Sequence, residues 1–296
     1  MSSWPGPMSA SDQPAEDVPS GADPPPSPDA SSALLIVDAL ADAPLSRFRA
    51  PERCAPLPDG IDQTGFSGLR CSGSAQFSSR GWSELRRQLG QGDPRQLHVV
   101  DLRQESHCFV DGSALSWYAA RNWGCAGLSA LESAQLEQLR IRTLQLAGTA
   151  EVGTKDDVVA RRRPQQLWKV GAAADEPAEL GLAGRYLRLP VTDHAAPRAE
   201  VVGQFVRFVS ALPQSAHVHL HCRGGKGRTA TFLTMLDILA NARRVSFEAI
   251  IARQAALGGY DLRRLPEEGS PKRPYLLERW QFLCRFYANA RAAAPP

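Results

Sequence analysis

The sequence predicts an α/β fold in which a partly parallel central sheet is flanked by helices. Short apolar segments of strand length alternate with longer segments in which apolar residues recur every three or four positions. This alternation is typical of parallel strands joined by helical crossovers. The chain has 296 residues, of which 43% are hydrophobic, which is enough for one large domain or for one domain with an insertion and a tail.

The predicted strands are short apolar runs that end in polar residues. They lie at residues 96–103, 184–191 and 217–221. Apolar stripes predict helices at residues 83–89, 198–212, 227–241, 245–257 and 274–290. Because ligands bind at the carboxyl ends of parallel strands, the polar residues after each strand are candidates for a functional site.

Residues 1–45 are predicted to form a disordered acidic leader that precedes a folded domain at residues 46–296. The first 30 residues contain eight prolines and six serines but few large apolar side chains, so they cannot bury enough surface to offset the cost of ordering. Residues 31–60 are expected to hold a short strand or helix and then to lie along the body of the domain.

The charge of the folded part is positive. Residues 1–45 contain seven acidic and no basic residues, so the remainder carries +10 when the whole chain carries +3. A basic body suits polyanionic substrates, and equally nucleic acid or an anionic membrane surface. No apolar run approaches the ~18 residues that span a bilayer, so no membrane span is predicted.

A small β-rich insertion is predicted within the domain, at about residues 108–180. This region is irregular, with a helical pattern at 129–140 and a strand-like segment at 143–146. It also contains the basic run Arg161-Arg162-Arg163, which is either a solvated face or part of a substrate surface.

The six cysteines show no metal-binding pattern. They lie at positions 54, 71, 108, 125, 222 and 284, without CxxC pairs or the spacing of a zinc site, so neither a metal nor another cofactor is predicted. All except Cys222 are expected to be buried or incidental thiols, although Cys54 and Cys71 could form a bridge in an oxidising compartment.

The strongest chemical signal is a glycine-rich loop between a strand and a helix. The strand ends in Cys222, and five residues, three of them glycine, separate it from Arg228. Backbone N–H groups and a helix N-terminus can surround a tetrahedral anion here, and together with Arg228 they favour the thiolate form of Cys222. Arg228 can also hold two phosphate oxygens at once. The loop therefore predicts a cysteine nucleophile that attacks phosphorus.

Two neighbours of this loop have predicted supporting roles. Thr229 can donate its hydroxyl to the sulfur of Cys222, and His221 is expected to hydrogen-bond backbone carbonyls of the loop. A nucleotide-binding loop is the alternative interpretation, but the required Gly-Lys-Ser/Thr ending is missing because Gly227 follows Lys226.

The leaving group needs a proton donor, and Asp193 is the predicted general acid. It follows a predicted strand, lies close to Pro197 and precedes the nucleophile by about thirty residues. Glu105 and Asp101 are the alternative acids. His194 is expected to position Asp193 or to touch the substrate, whereas the other histidines, His98, His107, His217 and His219, are expected to be structural.

Four stretches of the chain together resemble the PTP-like phytases of bacteria, which are cysteine-dependent phosphatases of the protein tyrosine phosphatase superfamily. They are residues 69–77, residues 101–107 with Gly112 and Ser116-Trp117 after them, Thr192-Asp193-His194 with Pro197, and residues 221–229. The resemblance spans about residues 65–290. It implies a protein tyrosine phosphatase-like fold with a small inserted β-rich, barrel-like domain, and metal-independent hydrolysis of myo-inositol hexakisphosphate through a phosphocysteine.

The resemblance also assigns the site residues. Cys222 is the implied nucleophile, Arg228 the phosphate-binding arginine and Asp193 the acid. Substrate contacts are expected from the loop and from outer residues, namely Arg223, Gly224, Gly225, Lys226, Gly227, His194, Arg70, Lys272, Arg273, Tyr275 and Arg279. The loop is more basic than is usual in the family because of Arg223 and Lys226, and Asn122 occupies a position where related phytases often have aspartate.

Other functions remain open at this stage. The same loop would serve a protein tyrosine or phosphoinositide phosphatase, or a non-catalytic phosphate-binding module. The substrate is expected to be a small polyanion rather than nucleic acid, and the oligomeric state is open. The leader resembles that of a bacterial type III effector, which predicts secretion or translocation into a host cell, with a periplasmic enzyme as the alternative.

Overall fold

The computed structural model describes residues 33–54, 57–90, 96–164 and 166–293. The predicted disorder of residues 1–32 lies outside these ranges. The strands of the described chain are β1 Leu34–Ala39, β2 Cys71–Ala75, β3 Leu97–Arg103, β4 His107–Val110, β5 Ser113–Tyr118, β6 Thr149–Gly153, β7 Gln166–Lys169, β8 Ala173–Ala174, β9 Tyr186–Val191 and β10 His217–Cys222. The helices are α1 Ser79–Leu89, α2 Ala130–Ala147, α3 Lys155–Val159, α4 Glu176–Leu180, α5 Ala199–Ala211, α6 Gly227–Asn241, α7 Phe247–Gly258 and α8 Arg273–Ala292.

The central sheet contains four parallel strands in the order β2-β10-β3-β9. The predicted α/β class with a partly parallel central sheet is therefore confirmed. Apolar side chains of these strands pack against helices α5, α6, α7 and α8 in the main core, and the fully buried members include Val100, Leu189, Leu220, Phe205 and Phe232. All four strands run the same way, so their carboxyl ends lie together at one edge of the sheet.

The predicted helices are present, with small shifts at their ends. The helix predicted at 227–241 has those bounds, and the terminal helix extends from Arg273 to Ala292. The first helix begins at Ser79 rather than at 83, because the Ser78 hydroxyl accepts a hydrogen bond from the Gly81 N–H and caps the helix there. None of the helices in the described ranges is both long and apolar enough to cross a membrane.

A second sheet has the strand order β7-β6-β1-β5-β4-β8. Strand β1 lies between β5, to which it is antiparallel, and β6, to which it is parallel. The predicted end of the disordered leader at residue 45 is therefore wrong, because Leu34–Ala39 is an inner strand of this sheet and Leu35 and Ile36 are buried. The short element expected within residues 31–60 is present.

The β-rich region also differs from the predicted insertion at 108–180. Its sheet takes β1 from before that range, and β4 begins at His107. The strand order ends at β7 and β8, so a closed barrel is not confirmed among the described residues. The strand predicted at 143–146 is wrong: a capping box between Ser129 and Glu132 starts α2, which continues to a left-handed Gly148.

Candidate active site

The glycine-rich loop lies at the carboxyl edge of the parallel sheet. Strand β10 ends at Cys222 and helix α6 begins at Gly227, with four residues between them. The loop packs closely on the end of β2: a Cβ atom at Gly225 would lie 2.4 Å from the backbone N of Ala75, and the φ of Gly225 is +61°. Only glycine fits this position. The close packing fixes the shape of the loop around the nucleophile.

The nucleophile is buried beside a hydroxyl donor. Cys222 is 3% exposed, and Thr229 Oγ1 lies 3.2 Å from its sulfur atom and can donate to it. Thr229 is the third residue of α6, so the helix turn itself places the hydroxyl under the sulfur. The structure thus brings these two residues together as predicted. All six cysteines are free thiols, so the possible Cys54–Cys71 bridge is absent.

Arg228 is held by a carboxylate from another strand end. Its guanidinium donates from Nη1 to Glu105 Oε2 at 2.6 Å and from Nη2 to Glu105 Oε1 at 2.9 Å. Nη1 also lies 3.1 Å from the Val191 carbonyl oxygen. Its Nε atom is buried without a hydrogen-bond partner among the described residues, so this donor can serve an anion in the loop.

Glu105 therefore holds Arg228 in place, and its carboxylate form is favoured. Burial alone would raise the pKa of Glu105, but the guanidinium groups of Arg228 and Arg103 hold that pKa well below its usual range. Asp101, the other alternative acid, is also occupied: it accepts from the Tyr186 hydroxyl at 2.9 Å and from the Arg103 backbone at 2.9 Å. Neither carboxyl group is suited to deliver a proton.

Asp193 lies at the end of β9, within reach of the loop. Its Oδ2 atom is 3.4 Å from Arg228 Nη2, and its side chain is 26% exposed. Asn122 Nδ2 donates to the same oxygen at 3.1 Å, and Trp123 Nε1 donates to the Asp193 carbonyl at 2.8 Å. Burial opposes ionisation, but Arg228 and then His194 lower the pKa of Asp193. The predicted acid is thus close to the nucleophile loop, where a bound phosphate would offset the charge of Arg228.

His221 does not contact the loop carbonyls as predicted. Its Nε2 atom lies 2.8 Å from Oε1 of Glu176, the first residue of α4, and both side chains are fully buried. Gln76 Nε2 donates to the other Glu176 oxygen at 2.9 Å. Glu176 was missed because nothing in its sequence context distinguishes it from the other acids of a first helical turn.

Arg223 of the loop is paired with a carboxylate of the second sheet. Its Nε atom lies 2.6 Å from Asp38 Oδ1 in β1, and its guanidinium lies 4.7 Å from the centre of the Tyr118 ring. Asp38 is buried and also accepts from Arg103 at 2.9 Å. The guanidinium predicted to contact the substrate is therefore already neutralised by Asp38. Gly224 and Lys226, in contrast, are exposed.

Three of the outer candidates lie close to the loop or to the acid. Arg279 is 3% exposed and packs on Gly227, where an added Cβ would lie 2.5 Å from Arg279 Nη1. The Tyr275 ring packs edge-on against Trp123, with 5.1 Å between the centroids. Burial lowers the pKa of His194, and the positive charges of Lys272, Arg228 and Arg279 lower it further. The carboxylate of Asp193 opposes this effect.

Two outer candidates do not fit. Arg70 precedes β2, and its carbonyl accepts from Val218 N at 3.0 Å. Val218 is four residues before Cys222 in a strand, so about 13 Å of strand separates Arg70 from the nucleophile, and its predicted role is wrong. Arg273 donates from Nη1 to the Pro266 carbonyl at 2.5 Å, which ties its guanidinium to the main chain.

The chain is similar in sequence and structure to known proteins. The family model of the PTP-like phytases, whose description is "Inositol hexakisphosphate", matches residues 100–240. A solved PTP-like phytase from Bdellovibrio bacteriovorus is 33% identical, with 92% of each chain covered and a TM-score of 0.72. The chain belongs to the PTP-like phytase family. The resemblance seen in the sequence is thereby confirmed.

Other relatives of the chain include a phosphatase and an effector. A PTP-like myo-inositol phosphatase from Mitsuokella multacida, solved in complex with myo-inositol-(1,3,4,5)-tetrakisphosphate, is 28% identical with a TM-score of 0.79, over 94% of this chain and 48% of that one. Effector protein hopD2 of Pseudomonas syringae pv. tomato is 30% identical over 276 residues, or 90% of this chain and 58% of that protein. The chain thus spans about half the length of these two relatives.

Proposed function

We propose that this PTP-like phytase hydrolyses phosphate monoesters of myo-inositol polyphosphates through a phosphocysteine intermediate. One observation carries the proposal: buried Arg228 joins the nucleophile loop to Glu105 and lies 3.4 Å from Asp193. Nucleophile, anion-binding group and acid therefore converge at one edge of the sheet. This arrangement matches the needs of phosphoryl transfer to sulfur.

In the first step, the substrate phosphate occupies the loop and the Cys222 thiolate attacks phosphorus. The P–S bond forms as the P–O bond to the inositol breaks, and Asp193 gives its proton to the departing oxygen. Asp193 must be protonated for this. Because Arg228 favours its carboxylate in the empty site, the phosphate dianion has to offset that charge first.

In the second step, water attacks the phosphocysteine. Asp193, now a carboxylate, takes the proton of the water as its oxygen attacks phosphorus, and the P–S bond breaks. The Thr229 hydroxyl, 3.2 Å from the sulfur, donates to the departing thiolate. Inorganic phosphate leaves, and both Cys222 and Asp193 return to their starting forms.

The inositol polyphosphate class is supported by cations around the loop. Lys226 is exposed at the start of α6, Arg279 packs on Gly227, and Lys272 acts on His194. Such a group of cations on one rim suits a substrate with several phosphates. The Mitsuokella multacida relative, bound to an inositol tetrakisphosphate, supports the same class.

A second candidate is a protein tyrosine phosphatase activity. Pairing of Arg223 with Asp38 removes one free positive charge from the loop, which favours a less charged substrate. Trp123 and Tyr275, which pack edge-on near Asp193, could accept an aromatic ring. These features favour phosphotyrosine more than a phosphoinositide or a purely binding role.

Phosphate release from two substrates separates the candidates. We expect the wild type to release phosphate from myo-inositol hexakisphosphate in the presence of a chelator, Cys222→Ser to release none, and Asp193→Asn to be at least about a hundredfold slower. Asp261→Asn, a change in a surface acid paired with Arg263, is the matched control and should behave as wild type. Release from a phosphotyrosine peptide alone would favour the second candidate, and release from neither substrate would refute both.

We further propose that the protein acts as an effector inside a host cell, because its relative hopD2 is named an effector. A reporter enzyme fused to residues 1–45 tests this. Reporter signal inside host cells exposed to the bacterium is expected, and its absence with intact secretion machinery would contradict the proposal.

A further inference from the structure

A second cavity lies at the amino edge of the parallel sheet, opposite the catalytic loop. Its volume is about 240 Å³, and residues from several separate chain segments line it, among them Arg70, Arg86, Arg185, His217, Trp82 and Leu180. The cavity includes Arg70, which the sequence had assigned to the substrate. It is separated from Cys222 by most of the length of β10.

The polar side of this cavity is positively charged. Among the residues that the structure describes, Arg70, Arg86 and Arg185 line it with a single acidic residue, Glu52. Arg86 lies 5.5 Å above the Trp82 ring, and Arg185 Nη2 donates to the Gly181 carbonyl at 3.1 Å, so both side chains have defined positions. A cavity with three guanidinium groups and one carboxylate attracts an anion.

The remaining walls are apolar. Trp82 is 6% exposed, and Leu97 and Leu180 are 9% and 8% exposed, so each shows only an edge to the cavity. An inorganic ion would leave these apolar edges in contact with water, whereas an anionic group on a short apolar body would also cover them. The lining therefore offers charged contacts together with a small apolar surface, which suits an organic anion.

His217, which lines the cavity, is the first residue of a buried chain of hydrogen-bonded side chains. His217 Nε2 lies 2.9 Å from Ser72 Oγ, which lies 2.8 Å from His219 Nδ1, and His219 Nε2 lies 3.1 Å from Ser74 Oγ. The next ring on this face, His221, is stacked with His219 at 6.3 Å and precedes Cys222. Because side chains alternate along a strand, the three histidines of β10 share one face of the sheet.

We propose that this cavity is a binding site, distinct from the catalytic loop, for a small organic anion with a phosphate or phosphonate group on an apolar body. The anionic group would contact Arg70, Arg86 and Arg185 beside His217, and the apolar body would pack on Trp82, Leu97 and Leu180. Burial, followed by Arg70 and Arg53, lowers the pKa of His217 to about 4, so His217 is neutral in the empty cavity at neutral pH. An anion close to the His217 ring would change its hydrogen bond to Ser72 and, through Ser72, the hydrogen bonding of His219.

Titration of the full chain with phenylphosphonate, whose C–P bond is not hydrolysed, tests the proposal. In protein labelled with ¹⁵N-histidine, we expect saturable changes of the His217 and His219 ring signals. The neutral analogue benzyl alcohol should leave both signals unchanged at the same concentrations.

Two neighbouring arginines of α1 provide a matched pair of variants. Arg86 lines the cavity, whereas Arg87 is 77% exposed and pairs with Glu84, so neither change disturbs the core. Arg86→Ala should weaken binding by about tenfold, as expected for one charged partner, and Arg87→Ala should not. The proposal is overturned if the His217 signals do not change, or if Arg86→Ala binds as wild type, which would assign the changes to another site such as the catalytic loop.

Discussion

Single residues of the catalytic site owe their positions to partners far away in the sequence. Arg228 is fixed by Glu105, and the same carboxylate accepts from Asn122 Nδ2 at 2.7 Å. Asn122 has a φ of +65°, and its second amide hydrogen goes to Asp193. Asparagine tolerates this left-handed conformation better than most residues. A single amide therefore links the arginine's anchor to the proposed acid.

We expect Asn122→Ala to move the alkaline limb of the pH profile of kcat/KM upward. The amide donates to Asp193 and favours its carboxylate, so its loss should raise the pKa of Asp193 and keep the acid protonated to higher pH. The pH dependence of phosphate release measures this. Asn122→Asp, which adds a like charge instead of only removing a donor, should move the limb further, and an unmoved limb in both variants would contradict the role of Asn122.

Thr229→Val should slow the second chemical step. The variant keeps the shape of the side chain but cannot donate to the Cys222 sulfur, which Thr229 does over 3.2 Å. Loss of one hydrogen bond to a charged leaving group corresponds to about a tenfold lower kcat or more. Rapid-quench measurement should show accumulated phosphocysteine. Thr231→Val, which loses only a bond to the Gly227 carbonyl, is the control, and equal rates for both variants would argue against this role.

At the scale of elements, the β-rich sheet supports the catalytic edge of the parallel sheet. Strand β1 supplies Asp38, which accepts from Arg103 of β3 and from Arg223 of the loop, and Ser116 of β5 donates to it at 3.0 Å. Helix α4 supplies Glu176 beside His221. Two elements outside the parallel sheet thus contact the residues on either side of Cys222.

Asp38→Asn should destabilise the fold, whereas Asp42→Asn should not. Asp38 is 1% exposed between two arginines, and removal of one partner of a buried ion pair costs about 3–5 kcal/mol. Asp42 is exposed, and its carbonyl oxygen, which the change leaves intact, accepts from Arg80. Urea unfolding of both variants measures the difference, and a loss below about 1 kcal/mol for Asp38→Asn would show that β1 contributes little through this carboxylate.

At the scale of the whole molecule, a buried ionic network joins the two sheets. His107 of β4 lies 3.3 Å from Asp101 of β3 and 3.3 Å from Glu137 of α2, and Arg188 of β9 lies 2.5 Å from Glu137. Burial and Arg103 oppose protonation of His107, but Asp101 and Glu137 raise its pKa to about 10. Burial opposes ionisation of Glu176, but the rings of His221 and His107 lower its pKa to about 2.

The free energy of unfolding should therefore have a maximum in mildly acidic solution. The depressed pKa of Glu176 gives stability that is present above its ordinary value of 4.5 and is lost as the pH falls toward about 2. The raised pKa of His107 gives stability that is complete below its ordinary value of 6.5 and is lost as the pH rises toward about 10. Urea unfolding across this range tests both limbs.

Variants assign each limb to its residue. His107→Gln should flatten the alkaline decline, and Glu176→Gln should reduce the acid decline, which other buried carboxylates share. Glu179→Gln, at an exposed position of α4, should leave both limbs in place. Limbs that persist unchanged in the first two variants would contradict the assignment.

Local patterns were sufficient where a function depends on neighbours in the chain. The loop from Cys222 to Arg228 and the hydroxyl of Thr229 are set by one strand–turn–helix unit, so their sequence predicts their geometry. The helix at 227–241 was predictable for the same reason. Residues 143–146 were not, because a short apolar run is compatible with a strand or a helix until its caps at Ser129 and Gly148 are recognised.

Contacts between distant segments could not be predicted from the sequence, because they depend on strand direction and on packing partners. Arg70 and Lys272 were equally plausible cations in the sequence, but the direction of β2 placed Arg70 at the amino edge, in the second cavity, while α8 brought Lys272 to His194. Arg223 is adjacent to the nucleophile, yet Asp38, which is 185 residues away in the chain, determines where its guanidinium lies. Side-chain direction depends on what packs next to it.

The sequence by itself determined the fold class and the Cys-x5-Arg loop, because strand and helix periodicity and this spacing are local properties of the chain, and it predicted Asp193 as the acid. Only the tertiary structure decided that Glu105 anchors Arg228, that Glu176 faces His221 and that Leu34–Ala39 is an inner strand. These pairings join segments that meet only after the sheets form, since a buried charge must find its partner wherever the packed chain supplies one.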